Sequence, residues 1–315
     1  MTCRVLVLGA GGYVGLRLLD RLSLCSDLHA TGSGRRLPAA ATGEFKILDA
    51  TDATALKREL AETDAVVNCV SGSPAAIADG AKALRDAVLA LPGAKPRVVH
   101  MSSMAVYGPA EGEVKEDYPQ IRGDARHYGG AKVLAEQYLA ELEDVVFFRP
   151  GCIYGKGSPQ WTERMCRLLR AGRIGDLGAN GDGCSNLVFI DDVLDAIVAA
   201  VRATRLEHQA YNLAMPQAPS WNAYFEQMAY RIGAVPLKRI GSRRLKLETR
   251  LLAPALHVAG KLGRRAGWRN LPAPIPPSLL RLWRQDIRLD AERASQSLQL
   301  RWTTLEEGLR QSLQT

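Results

Sequence analysis

Short, unbroken apolar runs alternate with segments of helical period along roughly the first two thirds of this chain. The earliest, Arg4-Val5-Leu6-Val7-Leu8, stops at a cluster of glycines, after which Leu16, Leu18, Leu19 and Leu22 recur along one side of a helix. Residues 64–70 read as the end of another strand, 54–60 and 76–91 as helices, and 97–101, 145–148 and 187–190 as further strands. A run that is apolar at every position suits a strand covered on both faces. Such strands alternating with helices predict an open, doubly wound α/β fold. Glycine-rich stretches at 151–157 and 172–183 read as loops where the chain leaves the sheet to build a smaller, mostly helical lobe.

Composition narrows the picture. The 315 residues are 47% hydrophobic, enough for a large core, and the length admits one large domain or two. No apolar run approaches the roughly 18 residues of a membrane-crossing helix, and the first strand-like run follows Met1 almost at once, so a soluble, cytoplasmic protein is expected. The six cysteines lie far apart, with neither a CxxC pair nor histidines at ligand spacing, which predicts reduced thiols and no metal site. The net charge of +8 is local, because residues 231–284 carry thirteen Lys or Arg against one acid, Glu248. Such a block suits a solvated helical face, an anionic membrane surface or an acidic ligand. Nucleic acid is disfavoured: only Trp268 and Trp283 supply aromatics, and no recognition motif accompanies them.

The glycine cluster is the first candidate site. Gly9-Ala10-Gly11-Gly12-Tyr13-Val14-Gly15 stands between strand and helix, the context in which glycines cradle a pyrophosphate. Gly9 permits the tight turn, Gly12 lets phosphate approach the backbone, and Gly15 lets the helix pack closely on the strand, while free N–H groups at the helix start bind the anion. A Rossmann-like, doubly wound parallel sheet follows, with residues 1–152 as its dinucleotide-binding domain, completed by about 186–214. Residues 153–185 and 215–315 are left for a substrate lobe and cap. An NAD enzyme usually carries an acid at the end of its second strand, about 20 residues past the turn. Here Gly32-Ser33-Gly34-Arg35-Arg36 has none; Gly32 and Ser33 leave room for the cofactor, and the guanidinium of Arg35 or Arg36 suits a 2′-phosphate, so NADP is favoured over NAD.

The second candidate site is assembled from two segments. Ser102-Ser103 ends the strand at 97–101, where α/β sheets bind ligands, and Tyr128 and Lys132 lie four residues apart on one helix face. A lysine charge beside a tyrosine, with a nicotinamide cation near, is expected to lower the phenol's pKa toward working pH. Tyr128 is then the group that passes a proton to or from a substrate oxygen, with Ser103 donating a hydrogen bond to that oxygen while hydride moves at the carbon.

These residues sit in a wider set of motifs: GAGGYVG at 9–15, SSMAVYG at 102–108, YGGAK at 128–132, RPGCIYG at 149–155, FIDDV at 189–193 and YNLA at 211–214. Together they make the chain resemble the extended short-chain dehydrogenases/reductases, the family that contains NAD-dependent epimerases and dehydratases, over almost its whole length. The resemblance implies Ser103, Tyr128 and Lys132 as catalytic residues, Lys132 also holding the nicotinamide ribose. It implies Asp49 and Ala50 at the adenine, with Cys69, Val70, Ser71, Pro150, Gly151, Cys152 and Ile153 lining the cofactor. Asp49 is alternatively a helix cap before 54–60. The family also implies a homodimer.

Departures within the family bear on the substrate. The dehydratases' Thr-Asp-Glu triplet is replaced by Ser103-Met104-Ala105, so dehydration is disfavoured. Nucleotide-sugar epimerases usually place Asn where Cys152 stands and Arg-Asp where Ser185-Asn186 stand. The wording here is closer to branches acting on hydrophobic alcohols or ketones. The expectation is therefore an NAD(P)-dependent oxidoreductase acting on a small hydrophobic hydroxyl or keto substrate. A nucleotide-sugar epimerase with tightly bound NAD is the alternative, and a noncatalytic NADP sensor the second alternative. At the carboxyl end, Thr304 is expected to cap a last helix carrying Glu306 and Glu307 in its first turn. Leucines at 245, 247, 251, 252, 256 and 262 mix with basic residues around Pro254, which should break or kink any helix there. That segment reads as a lid over an apolar substrate or, alternatively, as a membrane-surface anchor.

Overall fold

A computed structural model describes residues 2–40, 43–256, 259 and 272–314. Its centre is a seven-stranded parallel sheet formed by β1 (Cys3–Leu8), β2 (Leu28–Gly34), β3 (Glu44–Ile47), β4 (Ala65–Asn68), β5 (Arg97–Met101), β7 (Val145–Pro150) and β10 (Ala210–Leu213), in the order β10-β7-β5-β4-β1-β2-β3. The chain runs outward from β1 in one direction through β2 and β3, then in the other from β4. The switch leaves a crevice at the carboxyl ends of β1 and β4, which is where such sheets bind ligands.

The apolar runs have the predicted cause. Val5 and Val7 enter one core layer with Leu18, Leu19 and Leu22 of α1 (Tyr13–Ser23), while Leu6 and Leu8 enter the opposite layer with Leu56 of α2 (Ala53–Leu60) and Leu84 of α3 (Pro74–Leu89). Each fully buried side chain contributes about 1.5–3 kcal/mol. Boundaries shift where side chains cap. Asp52 accepts from Thr54 and Ala55 N–H at 3.0 Å and starts α2, so the cap is not Asp49. Ser73 accepts from Ala76 N–H and, with Pro74 at the first helical position, starts α3 two residues before the expected 76. β4 stops at Asn68 because the Asn68 side chain takes the Val70 N–H at 3.1 Å and turns the chain.

Two small sheets lie beyond the main one. β8 (Cys152–Tyr154) pairs with β9 (Leu187–Phe189), which runs straight into α6 (Ile190–Arg202), and β6 (Gly112–Val114) pairs with β11 (Ile287–Leu289). The lobe over them packs α5 (Arg164–Arg170) and α7 (Trp221–Arg231) around an aromatic cluster in which Phe225 stands 5.8 Å from Trp221 and 5.4 Å from Trp283. Thr304 does cap the last helix, Leu305–Leu313, which carries Glu306 and Glu307 in its first turn. That helix is docked through Asp192, which accepts from the Thr303 N–H and hydroxyl at 3.0 and 2.6 Å.

At Pro254 the outcome differs from the expected break. The helix that begins at Ser242–Leu247 (α8) widens into a π-turn at Glu248–Leu252 and stays helical through 256, so the missing proline N–H is absorbed by a wider turn ahead of it. Leu262 and Trp268 lie outside the described residues.

Candidate active site

At the crevice, the backbone at Gly9 takes φ +73°, and a Cβ there would stand 2.9 Å from the backbone of Cys69 and Val70, so only glycine fits. Gly15 is equally constrained, 2.7 Å from Ala10 Cα and the Gly9 carbonyl. Helix α1 starts at Gly12 with no side-chain cap and no acid in its first turn. Its first N–H groups therefore face the crevice with the positive end of the helix dipole and no competing anion, which fits the pyrophosphate of a dinucleotide. Gly11 and Val14 belong to the same exposed or half-buried turn, but the Tyr13 ring turns away: its hydroxyl is buried without a hydrogen-bond partner, 2.6 Å from where a Gly155 Cβ would lie.

On the adenine side the candidates separate. The Ser33 hydroxyl donates to the Val7 carbonyl at 3.2 Å inside the sheet, and Gly32 is packed between Leu19 and Phe45. Arg35 and Arg36 are exposed just beyond β2. Asp49 accepts from the Thr51 N–H and hydroxyl at 3.0 and 2.9 Å, and these contacts, with Arg35 adding to them, hold its carboxyl below the usual range. Ala50 packs on Gly80 of α3.

The catalytic candidates converge on α4 (Tyr128–Leu139), whose start is held by Asp124 accepting from the Arg126 and His127 N–H groups. Lys132 is buried and donates to the Met101 carbonyl at 2.6 Å and the Val70 carbonyl at 3.5 Å, bridging the ends of β5 and β4. Burial pulls its pKa down to about 8. Next to it, burial raises the Cys69 thiol to about 12, and His100, buried with both ring nitrogens unpartnered, is kept neutral by burial and by the lysine charge. Tyr128 remains 46% exposed at the mouth, yet burial of its hydroxyl raises its pKa, opposed by a hydrogen bond with Ser103. The expected depression by Lys132 is not seen, because the ammonium points at two carbonyls rather than at the phenol. Ser103 also accepts from the Ala105 N–H at 3.2 Å, which fixes it at the strand end.

Cys152 is buried close to both Tyr128 and Cys184, and Gly151 is pressed against the Asn186 carbonyl, where a Cβ would come within 2.0 Å. Ile153 is half-buried and Ser71 exposed, while Pro150 ends β7. Among the described residues, no group of three or more His, Cys, Asp or Glu could hold a metal.

The motif letters also hid a second set of residues. Arg149 clamps Glu136 through Nε and Nη2 at 3.0 and 2.6 Å, and its Nη1 reaches the Tyr107 hydroxyl at 3.0 Å. Tyr107 in turn donates to Asn212, whose backbone N–H goes to Glu116 at 2.8 Å. Ser102, the neighbour of Ser103, donates to Glu136. Ser102, Tyr107, Arg149 and Asn212 stand inside the motifs, whereas Glu116 and Glu136 lie outside them and carried no signal of their own.

Sheet order and glycine turn define a dinucleotide-binding fold of the extended short-chain dehydrogenase/reductase kind, with Ser103, Tyr128 and Lys132 gathered near the carboxyl ends of its strands. Residues 5–214 match the model of the NAD dependent epimerase/dehydratase family, and the chain belongs to that family. It is 32% identical over 147 residues to Protein YeeZ of Escherichia coli K12, a match covering 45% of this chain and about half, 48%, of that protein. In fold it is similar to the UDP-glucuronic acid 4-epimerase of Bacillus cereus solved with UDP-glucuronic acid and NAD (TM-score 0.71, 18% identity, 98% of each chain). It is likewise similar to a human epimerase family protein solved with NADPH (TM-score 0.70, 17% identity, 98% of this chain and 99% of that one). Relatives across the family are named as epimerases, reductases and dehydratases.

Proposed function

We propose that this protein is an NAD(P)-dependent oxidoreductase that interconverts a hydroxyl and a keto group on a small hydrophobic substrate. The observation that carries the reading is the placement of Tyr128, a residue half-exposed at the crevice whose hydroxyl is hydrogen-bonded with Ser103, one helical turn from Lys132. A bound nicotinamide supplies or accepts the hydride. The Tyr128 hydroxyl gives its proton to the substrate oxygen in reduction and takes it back in oxidation. Ser103 donates a hydrogen bond to the same oxygen as charge builds on it. Lys132, directed at the carbonyls of Met101 and Val70 on the crevice rim, would hold the nicotinamide ribose when the cofactor is bound.

The hydrophobic substrate is supported by Cys152, close to the phenol, and by Ser185 and Asn186 ahead of β9. Cys152 offers a neutral, buried thiol, the Ser185 hydroxyl donates to the Pro219 carbonyl, and the Asn186 amide is engaged by Ile287 and Leu289 of β11. None of the three presents a charge for a sugar diphosphate. Nucleotide-sugar epimerisation is the second reading, favoured by the fold neighbours that carry such substrates. The two part in one assay: an oxidoreductase changes nicotinamide absorbance near ~340 nm stoichiometrically with product, whereas an epimerase returns the cofactor unchanged. Net silence at that wavelength during turnover of a sugar nucleotide would replace the first reading by the second.

NADP is the proposed cofactor, with Arg35 and Arg36 meeting the 2′-phosphate. Replacing both by Ser should weaken NADPH binding roughly 10-fold, a loss of about 1.4 kcal/mol, and leave NADH binding unchanged. Equal losses for the two cofactors in a fluorescence titration would remove this assignment.

A further inference from the structure

We propose that the outward face of the helix at 242–256 is a docking surface for an anionic lipid bilayer. Leu245, Thr249 and Ala253 turn inward and are buried. Leu247, Leu251 and Leu252 turn outward, 56%, 65% and 39% exposed, and with Ala255 they line a groove of about 360 Å³. The π-turn at Glu248–Leu252 changes the helical register there, so that the three leucines share one groove.

The charge around this groove has one sign. Arg243, Lys246 and Arg250 are exposed on the same helix, while Lys238 and Arg244 converge over Gly172. The single acid of the basic segment does not offset them, because Glu248 is buried against Arg173, with Nε–Oε1 and Nη2–Oε2 at 3.1 and 2.5 Å. Arg173 also holds the Ala273 carbonyl at 2.7 Å, so this buried pair anchors the helix to the lobe and leaves its outer face to solvent.

Apolar side chains ringed by cations discriminate among occupants. A second copy would bring the same positive field against itself, and nucleic acid has no use for a leucine groove. A bilayer with acidic headgroups satisfies both, taking leucines into the acyl boundary and cations at the phosphates. Among the described residues no helix is long and apolar enough to cross a bilayer, so this one would lie in the interface.

The test is flotation of the full chain with phosphatidylcholine vesicles containing phosphatidylglycerol, against pure phosphatidylcholine, at low and high salt. Wild type should float with the acidic vesicles only and be released by salt. Leu247→Glu with Leu251→Glu should lower the bound fraction at least ~10-fold. Lys246→Ala with Arg250→Ala should lower it about 25-fold, at roughly fivefold per cation. Circular dichroism and melting confirm that these surface variants stay folded. Absence of binding to acidic vesicles, equal binding to neutral ones, or leucine variants that bind like wild type each overturn the proposal. So does a concentration-dependent dimer that the leucine variants dissolve, since a second copy would then be the occupant.

Discussion

Helix α4 carries Tyr128 in its first turn and Glu136 two turns on, and the protein treats the two in opposite ways. Tyr128 is 46% exposed, with Ser103 as its hydrogen-bonding neighbour. Glu136 is 4% exposed and is held by Ser102, by Gln120 at 2.6 Å and by both arms of the Arg149 guanidinium. The serines that serve them are consecutive, Ser102 serving the carboxylate and Ser103 the phenol. The proposed proton exchange with a visiting molecule needs a phenol that is left with room for another partner. A charge that only has to hold strands and helix together is saturated, because an unpaired buried charge is far costlier than a lost surface contact.

Removing the phenol gives the largest expected effect. Tyr128→Phe should lower turnover about 10²–10⁴-fold while leaving the melting temperature and cofactor affinity as they were. Near wild-type rates in the nicotinamide assay would break the contrast at its reactive end. At the saturated end, Glu136→Ala strands the Arg149 guanidinium and should destabilise the fold by about 3–5 kcal/mol in urea denaturation. A midpoint that scarcely moves would show that the network does not carry the structure.

Asp192 sharpens the comparison because it is buried like Glu136 but, among the described residues, its hydrogen-bond donors are the neutral N–H and hydroxyl of Thr303. Burial raises its pKa from the ordinary 3.8 to about 6, offset in part by the Thr303 contacts. A carboxyl raised in the folded state favours folding when protonated, so its contribution is full below pH ~4 and is lost as pH rises through about 6. Wild type should therefore lose up to ~3 kcal/mol over that window, and Asp192→Asn should flatten the slope. Identical slopes in the two proteins would mean that the carboxyl titrates normally. The smallest effect is at the glycine turn, where Gly9→Ala forces a side chain into φ +73° against Cys69 and Val70. A loss of about 1–2 kcal/mol in stability is expected, with weaker dinucleotide binding beside it in calorimetry. Unchanged binding would separate the turn from the cofactor.

Much of the sheet was legible in the sequence because a strand buried on both faces leaves an apolar run, as Val5 to Leu8 and Val98 to Met101 do. β3 was not legible: at the sheet edge Glu44, Lys46 and Ile47 are exposed and show no such run. At the candidate site, Ser103, Tyr128 and Lys132 could be named from spacing, but the direction of the Lys132 ammonium could not, since its acceptors are backbone carbonyls that every residue possesses. The partner of the Ser33 hydroxyl was hidden for the same reason, being the Val7 carbonyl inside the sheet.

By itself, the sequence determined the alternation of strands and helices, the glycine turn and the catalytic candidates, because these depend on local periodicity and on residue types with narrow conformational or chemical uses. Only the tertiary structure decided that Glu136, Arg149, Tyr107, Asn212 and Glu116 form one buried network. It also decided that Glu248 faces Arg173 while its leucine neighbours face out. Pairing between residues remote in sequence depends on burial and on which partner is within reach, and neither is written in any local stretch of the chain.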